Sequence, residues 1–169
     1  MPITSINAIS RRSALRLPLA MLGAAVLGQP LLTLARSAPN PITVWKNPDC
    51  GCCHEWAAHL RKNGFEVVTH DVNDTAPIRQ KLGLPAKFGS CHTAQLGDYV
   101  LEGHVPAQEI RRLLRDKPKA SGLAVPGMPV GSPGMEMGTA SDAYDVLLVL
   151  TDGSSRIYQS YPSKSSVKF

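Results

Sequence analysis

The hydrophobic pattern changes period several times along the chain, and each change marks an element. "ITVWK", Ile42 to Lys46, is β-branched and aromatic and ends at Asn47-Pro48, so it predicts a short strand. Cys53, Trp56, Ala57 and Leu60 then fall at i, i+3, i+4 and i+7. That spacing is one apolar helical face, with Glu55, Arg61 and Lys62 away from it. Asn63-Gly64 supplies the stop. "FEVVTHD", Phe65 to Asp71, alternates as a second strand, and a short helix follows from about Pro77 to Leu82, closed by Gly83. "HTAQLGDYVLEG", His92 to Gly103, reads as two strands around a Gly97-Asp98 turn. Pro106 opens a third helix with Ile110, Leu113 and Leu114 inward and Arg111, Arg112 and Arg115 outward; Pro118 ends it. "DAYDVLLVLTDGSSRIYQSY", Asp142 to Tyr161, predicts a hairpin turning at Asp152-Gly153.

Strand, helix, strand, helix, strand, strand, helix is the order of a thioredoxin-like domain. The expected fold is therefore α/β: a thioredoxin-like mixed sheet with flanking helices, plus a C-terminal β-hairpin. The first strand-helix-strand unit implies a parallel crossover. The segment "PDCGCCHEW" then lies at the C-terminal end of the first strand and the N-terminus of the first helix. Ligands of open α/β sheets bind at that end. Free backbone N–H groups and the helix dipole there favour thiolate over thiol.

The N-terminal segment changes the charge picture. Arg11, Arg12 and Arg16 precede an apolar run from Leu17 to Leu34, and small residues close it at Ala35, Ser37 and Ala38. This is the pattern of a bacterial export signal, and Arg11-Arg12 resembles a twin-arginine leader. Ala14 stands where such leaders usually carry Phe, which leaves the general export route open. Pro18 and Pro30 interrupt the run and argue against an anchoring helix. The formal net charge of +5 includes four leader arginines and no leader acids. From Ala38 onward, 14 basic residues face 13 acidic ones, so the chain makes no case for nucleic-acid binding. The expected organisation is an export signal over residues 1–37, one domain over 38–161 and a flexible tail over 162–169. The expected location is the periplasm, with no stable membrane span after cleavage.

Export would place Cys50, Cys52, Cys53 and Cys91 in an oxidising compartment, where disulfides are the default. Within the cluster, Cys52 can pair with Cys53, or Cys50 with Cys52 or Cys53. Any of these closes almost no loop, which disfavours a purely structural disulfide. Cys50 and Cys53 have the C-x-x-C spacing of a redox dithiol, but Cys52 inserts a third sulfur. Thioredoxins also place a cis-Pro before Thr opposite the active cysteines. Here "GSCHTA" sets His92 before Thr93, with Cys91 alongside. We read this as a docking pocket converted to metal ligation. The Gly- and Pro-rich stretch "VPGMPVGSPGMEMG" carries Met128, Met135 and Met137. Thioethers beside thiolates favour Cu(I), with Met128 and Met135 the preferred candidates. His54 adjoins the cysteines, His59 reads as a helix-surface residue, and His104 reads as a structural hydrogen-bonding group before a helix.

The chain from about Pro41 to Tyr161 resembles the CopG-like periplasmic copper-resistance proteins, long catalogued as a domain of unknown function. "NPDCGCCHEW", "SCHTA", "EGHVPAQEIRRLL" and "GLAVPGMPVGSPGME" carry the resemblance. It implies a thioredoxin-like fold that binds copper through the Cys-x-Cys-Cys motif and the later cysteine. By position these are Cys50, Cys52, Cys53 and Cys91, with His92, Met128 and Met135 in support. It also implies a possible multinuclear Cu(I) cluster. The expected function is copper sequestration, transfer or resistance, with copper ions and other periplasmic copper-handling proteins as partners. Three alternatives stay open: a copper oxidoreductase interconverting Cu(I) and Cu(II), a thiol-disulfide exchanger at Cys50 and Cys53, and a structural zinc protein. No catalytic residue or organic cofactor is assigned.

Overall fold

The computed structural model describes residues 40–165. The expected export leader lies outside these residues, as does the end of the expected tail. Among the described residues, seven strands form one mixed sheet, with spatial order β2-β1-β3-β4-β5-β6-β7. They are β1 (Ile42–Lys46), β2 (Val67–Asp71), β3 (His92–Leu96), β4 (Tyr99–Glu102), β5 (Gly122–Ala124), β6 (Tyr144–Val149) and β7 (Ser155–Tyr161). Three helices join them: α1 (Gly51–Lys62), α2 (Ala76–Lys81) and α3 (Ala107–Asp116). A 3-10 turn, Ala86–Phe88, follows α2. Among the described residues no helix is long and apolar enough to cross a membrane.

The α/β reading holds, with its mixed sheet, flanking helices and C-terminal hairpin. β1 runs parallel to β2 and antiparallel to β3, and β3 runs antiparallel to β4. The parallel pairing of β1 with β2 meets the expected crossover. β5 was not anticipated. It is three residues long, too short to show a period, and it pairs parallel with β4 after the α3 crossover. In the C-terminal hairpin the register slips between Val146 and Leu147, so Tyr158 is unpaired in the ladder. Lys164, within the expected tail, is tied to Ser141 by backbone hydrogen bonds in both directions, each 3.0 Å.

The main core lies between the sheet and the two longer helices. Ile42 and Val44 of β1, Trp56 and Leu60 of α1, Ile110 and Leu113 of α3, and Leu101, Leu123 and Leu148 of the central strands form one buried cluster. Trp56 is fully buried and donates its indole N–H to the Val105 carbonyl at 2.9 Å, which joins α1 to the segment before α3. Such a bond lets a large aromatic surface be buried without leaving its polar atom unpaired. A smaller cluster of Leu84, Phe88, Val100, Ala124 and Val149 packs separately.

One buried ion pair fixes the approach to β3, where Cys91 sits. Glu102, at the end of β4, is fully buried, and Arg79 of α2 meets its Oε1 at 2.8 Å. The Ser90 backbone N–H donates to the same oxygen at 2.7 Å, and the Thr93 hydroxyl donates to Oε2 at 2.7 Å. Burial pushes the Glu102 carboxyl above its usual range, and these donors oppose that shift. With donors on both oxygens, the carboxylate is the form the site accommodates. Arg79 also donates to the Ser90 carbonyl at 3.2 Å, so both peptide groups of Ser90 are held. Arg79→Ala leaves a buried charge without its partner and should cost about 3–5 kcal/mol in urea unfolding. Arg156→Ala, at an exposed position of β7, should change stability by less than about 0.5 kcal/mol. Equal costs at the two positions would refute this reading of the ion pair.

Candidate metal centre

α1 begins at the cysteines. Cys50 is its N-cap, no side chain caps the helix, and its first turn carries no acidic residue. The amide dipoles at this end are therefore available to sulfur. Cys53 is fully buried on the inner face of α1, while Cys52 is half-buried. The sequence places Cys91 far from these residues, and the sheet brings it back. β1 and β3 pair with Lys46 opposite His92, so Cys91 arrives beside the loop that follows β1. The ligand atoms of Cys50, Cys52, Cys53 and Cys91 all lie within 4.8 Å of one another.

Cys50 and Cys53 are joined as a disulfide, and Cys52 and Cys91 are free thiols. Of the pairings left open by the sequence, this is the one with C-x-x-C spacing. It encloses only two intervening residues, so it is no long-loop staple. Cys52 Sγ lies 3.5 Å from Cys50 Sγ and 3.8 Å from Cys91 Sγ, which puts the free thiols against the disulfide.

Two imidazoles border Cys91. His92 Nδ1 is 3.3 Å and His104 Nε2 is 3.1 Å from Cys91 Sγ. Both rings are fully buried. The His92 ring packs on Trp56 at 4.3 Å and meets His104 edge-on at 5.0 Å. His104 Nδ1 lies 2.8 Å from the Pro133 carbonyl. A carbonyl only accepts, so we assign the proton to Nδ1, which leaves a lone pair on Nε2 toward Cys91. The Cys91 thiol then donates to His104, and His92 Nδ1–H donates to the sulfur. His92 Nε2 is buried with no partner, and the lone pair there is cheaper to leave unmet than a proton.

His104 was read from the sequence as a structural hydrogen-bonding group, and its closeness to Cys91 was missed. The signal was present in the hairpin. β3 and β4 pair Leu96 with Tyr99 and Thr93 with Glu102. Continuing that register outward brings His92 level with Gly103 and Cys91 level with His104; the Gly103 N–H bonds the His92 carbonyl at 3.1 Å. His54 is exposed. His59 is more than a surface residue, because its Nε2 accepts the Ala107 backbone N–H at 3.2 Å and so caps α3.

The methionine loop approaches the site through its backbone. The Gly127 carbonyl accepts from the Ser90 hydroxyl, Pro133 holds His104, and Gly134 sits on α1. Gly134 has φ +86°, and a Cβ there would stand 2.7 Å from the Trp56 nitrogen and 2.8 Å from the Cys52 oxygen. Only glycine permits that approach. Met128 is 52 % exposed, Met137 is 69 % exposed, and Met135 is half-buried.

Burial holds both imidazoles neutral. It lowers the His92 pKa from its usual 6.5 to about 3, with the nearby His104 adding to the effect, and it lowers His104 as well. Burial, with the neighbouring Cys52, pushes the Cys91 thiol up from 9.0 to about 12. Without metal, Cys91 is therefore a thiol at neutral pH, and metal uptake must displace its proton.

A family described as a protein of unknown function, DUF411, matches residues 88–135. No curated protein is a significant match. Two solved chains described as copper resistance protein CopG, form 1 and form 2, are similar at 45 % and 44 % identity. Each alignment covers 74 % of this chain and 99 % or 100 % of the other, with a TM-score of 0.70.

The histidine shifts set an acid limb for the stability of the metal-free protein. Below pH 6.5 the unfolded chain takes up protons that buried His92 and His104 refuse, so stability falls as pH drops from 6.5 toward about 3. Glu102, raised in the fold, works in the opposite direction near its usual range. Urea midpoints measured from pH 7 to pH 4 should fall, and less steeply in His92→Gln. An identical slope in that variant would show that His92 does not carry the limb.

Proposed function

The chain belongs to the CopG copper-resistance family, and from that premise we propose that it is an exported periplasmic protein that binds Cu(I) in copper resistance. The observation that carries this reading is the convergence of four cysteine sulfurs within 4.8 Å of one another. Three come from the N-cap and first turn of α1, and the fourth from the residue just before β3. When all four are reduced they form a soft set, and thiolate donors select Cu(I). Three sulfurs within four residues are cramped around a single ion, whereas bridging thiolates suit several Cu(I) ions. Cys50, Cys52, Cys53 and Cys91 are the proposed ligands. His92, in contact with Cys91, and the thioethers of Met128 and Met135 support them. The proposed cargo is copper itself, exchanged with other copper-handling proteins of the periplasm.

The residues divide the work. The open N-terminus of α1 favours thiolate at the Cys-x-Cys-Cys segment. The Arg79–Glu102 pair sets the position of Ser90, the residue before Cys91. The Pro- and Gly-rich loop packs on α1 at Gly134, against the Cys52 backbone.

A second reading is favoured by one observation, the disulfide between Cys50 and Cys53. Forming it from two thiols releases two electrons and two protons. Two Cu(II) ions can accept those electrons and become two Cu(I) ions, which makes the dithiol a copper reductant. The same pair could instead exchange with other disulfides, although His92 stands where a substrate-docking proline is expected.

Competition between the reduced protein and chelators for each metal tests the copper reading. Cu(I) should be held far more tightly than Zn(II), and a preference for zinc at one ion per chain would sink it. Cys52→Ser and Cys91→Ser should each weaken Cu(I) binding by more than the about 10–100-fold typical of losing an outer-shell partner. The Met128→Leu, Met135→Leu protein should lose less, since thioethers are neutral and the swap keeps volume. In the same assays insulin reduction should be weak. Strong reduction that survives in Cys52→Ser, together with full copper tolerance in cells, would promote disulfide exchange over metal binding.

A further inference from the structure

Lys46 closes β1 with its side chain in the core. It is 2 % exposed and shares the inner face of the strand with Ile42 and Val44. A lysine is almost never buried this far without a partner. Its partner here is lopsided. The ammonium donates to Asp71 Oδ1 at 2.6 Å, but the Asp71 side chain is 60 % exposed. The positive charge therefore sits inside the protein, and its counter-charge sits in water, where solvent and salt screen it.

The strand register places this charge beneath the cysteine segment. Lys46 lies between Asp71 of β2 and His92 of β3. Cross-strand partners share a face of the sheet, and the His92 ring on that face packs on Trp56 of α1. Cys50 follows four positions after Lys46. The Asn47 carbonyl, 3.5 Å from Lys46 Nζ, accepts the Cys50 N–H at 3.1 Å. The Asn47 side-chain oxygen accepts the Asp49 N–H at 2.9 Å. One carbonyl thus joins the ammonium to the N-cap of α1. The other basic groups beside this segment are spent. Burial holds His92 and His104 neutral, and Arg79 is committed to Glu102.

A disulfide and its dithiol differ in charge. The Cys50–Cys53 disulfide is neutral, whereas the reduced pair at a helix N-terminus takes on thiolate charge. A buried cation nearby stabilises the reduced pair and does nothing for the disulfide, so it raises the reduction potential.

We propose that Lys46 is a positioning residue of the cysteine centre: it braces the turn that presents Cys50, and its buried charge biases the Cys50–Cys53 pair toward the reduced form. The proposal concerns the redox balance of the two sulfurs, whichever metal they carry, and so goes beyond the copper reading. A plain salt bridge tying the ends of β1 and β2 is the competing account, and the two predict different signs.

The test is metal-free. Parent and variants equilibrate anaerobically in glutathione buffers of graded ratio, with a copper chelator present. Two glutathione thiols reduce one Cys50–Cys53 disulfide to two cysteine thiols and leave as one glutathione disulfide. Alkylation followed by peptide mass measurement reads the state of the pair. Lys46→Met removes the charge and leaves behind a carboxylate already in water. It should shift the equilibrium toward the disulfide by about tenfold, or about 30 mV for two electrons. Asp71→Asn breaks the same salt bridge but keeps the cation. It should leave the equilibrium unmoved or shift it toward the dithiol. Lys46→Arg keeps the charge and should stay closer to the parent than Lys46→Met does. Circular dichroism and urea midpoints establish that each variant is folded, and Lys46→Gln stands in if Lys46→Met is not. An unshifted equilibrium in the uncharged variant overturns the proposal. So does an Asp71→Asn protein shifted toward the disulfide, because the bridge and not the charge is then what matters. A parent that binds no Cu(I) would fell the copper reading and leave this measurement in force.

Discussion

The Ser90 backbone N–H reaches the buried Glu102 carboxylate, and the place of Cys91 in the cysteine cluster follows from that bond. Cys91 is the next residue. Arg79 neutralises Glu102 and also grips the Ser90 carbonyl, so the approach to β3 is held on both sides of one residue. A carboxylate buried this fully is tolerable only because its oxygens are met by an arginine, a hydroxyl and an amide. The cost of assembling that network is borne by the α2 face of the sheet. Its effect is felt at the end of the sheet, where the Cys91 thiol just before β3 meets the three sulfurs at the start of α1.

Much of this was legible in the chain because the relevant periods are long or the signals strong. Cys53, Trp56, Ala57 and Leu60 mark the inner face of α1, and all four are buried. The Gly97-Asp98 turn fixes the β3–β4 hairpin, whose ladder matches the predicted strands. Extending the same register by two residues would have delivered His104 to Cys91, so that contact was encoded but unread. β5 was not readable in the same sense, since three residues opening with glycine show neither alternation nor propensity. The state of the cysteines lies beyond sequence for another reason. C-x-x-C spacing permits a disulfide and a metal site alike, and the choice depends on electrons and metal supply rather than on side-chain order.

Two chemistries therefore compete for the same atoms. Oxidation of Cys50 and Cys53 and metal ligation by Cys50 and Cys53 exclude each other, because a disulfide sulfur is no longer a thiolate. The helix N-terminus favours both, since it stabilises the thiolate that either one requires. Cys52 and Cys91 escape this exclusion. They remain reduced beside the disulfide, and Cys91 also has nitrogen neighbours that oxidation of the pair does not touch.

The loop from Val125 to Gly138 touches the centre through carbonyl oxygens and a bare α-carbon, at Gly127, Pro133 and Gly134. Main-chain atoms are the same whatever side chain a residue bears. Outward side chains that make no such contact are thus free to drift in sequence while the wall the loop presents to the cysteines stays unchanged, whereas the left-handed glycines Gly127, Gly131, Gly134 and Gly138 and the prolines that shape the path are constrained. Exposed side chains such as Met137 then form a surface that selection can retune for new docking partners without disturbing the chemistry beneath it.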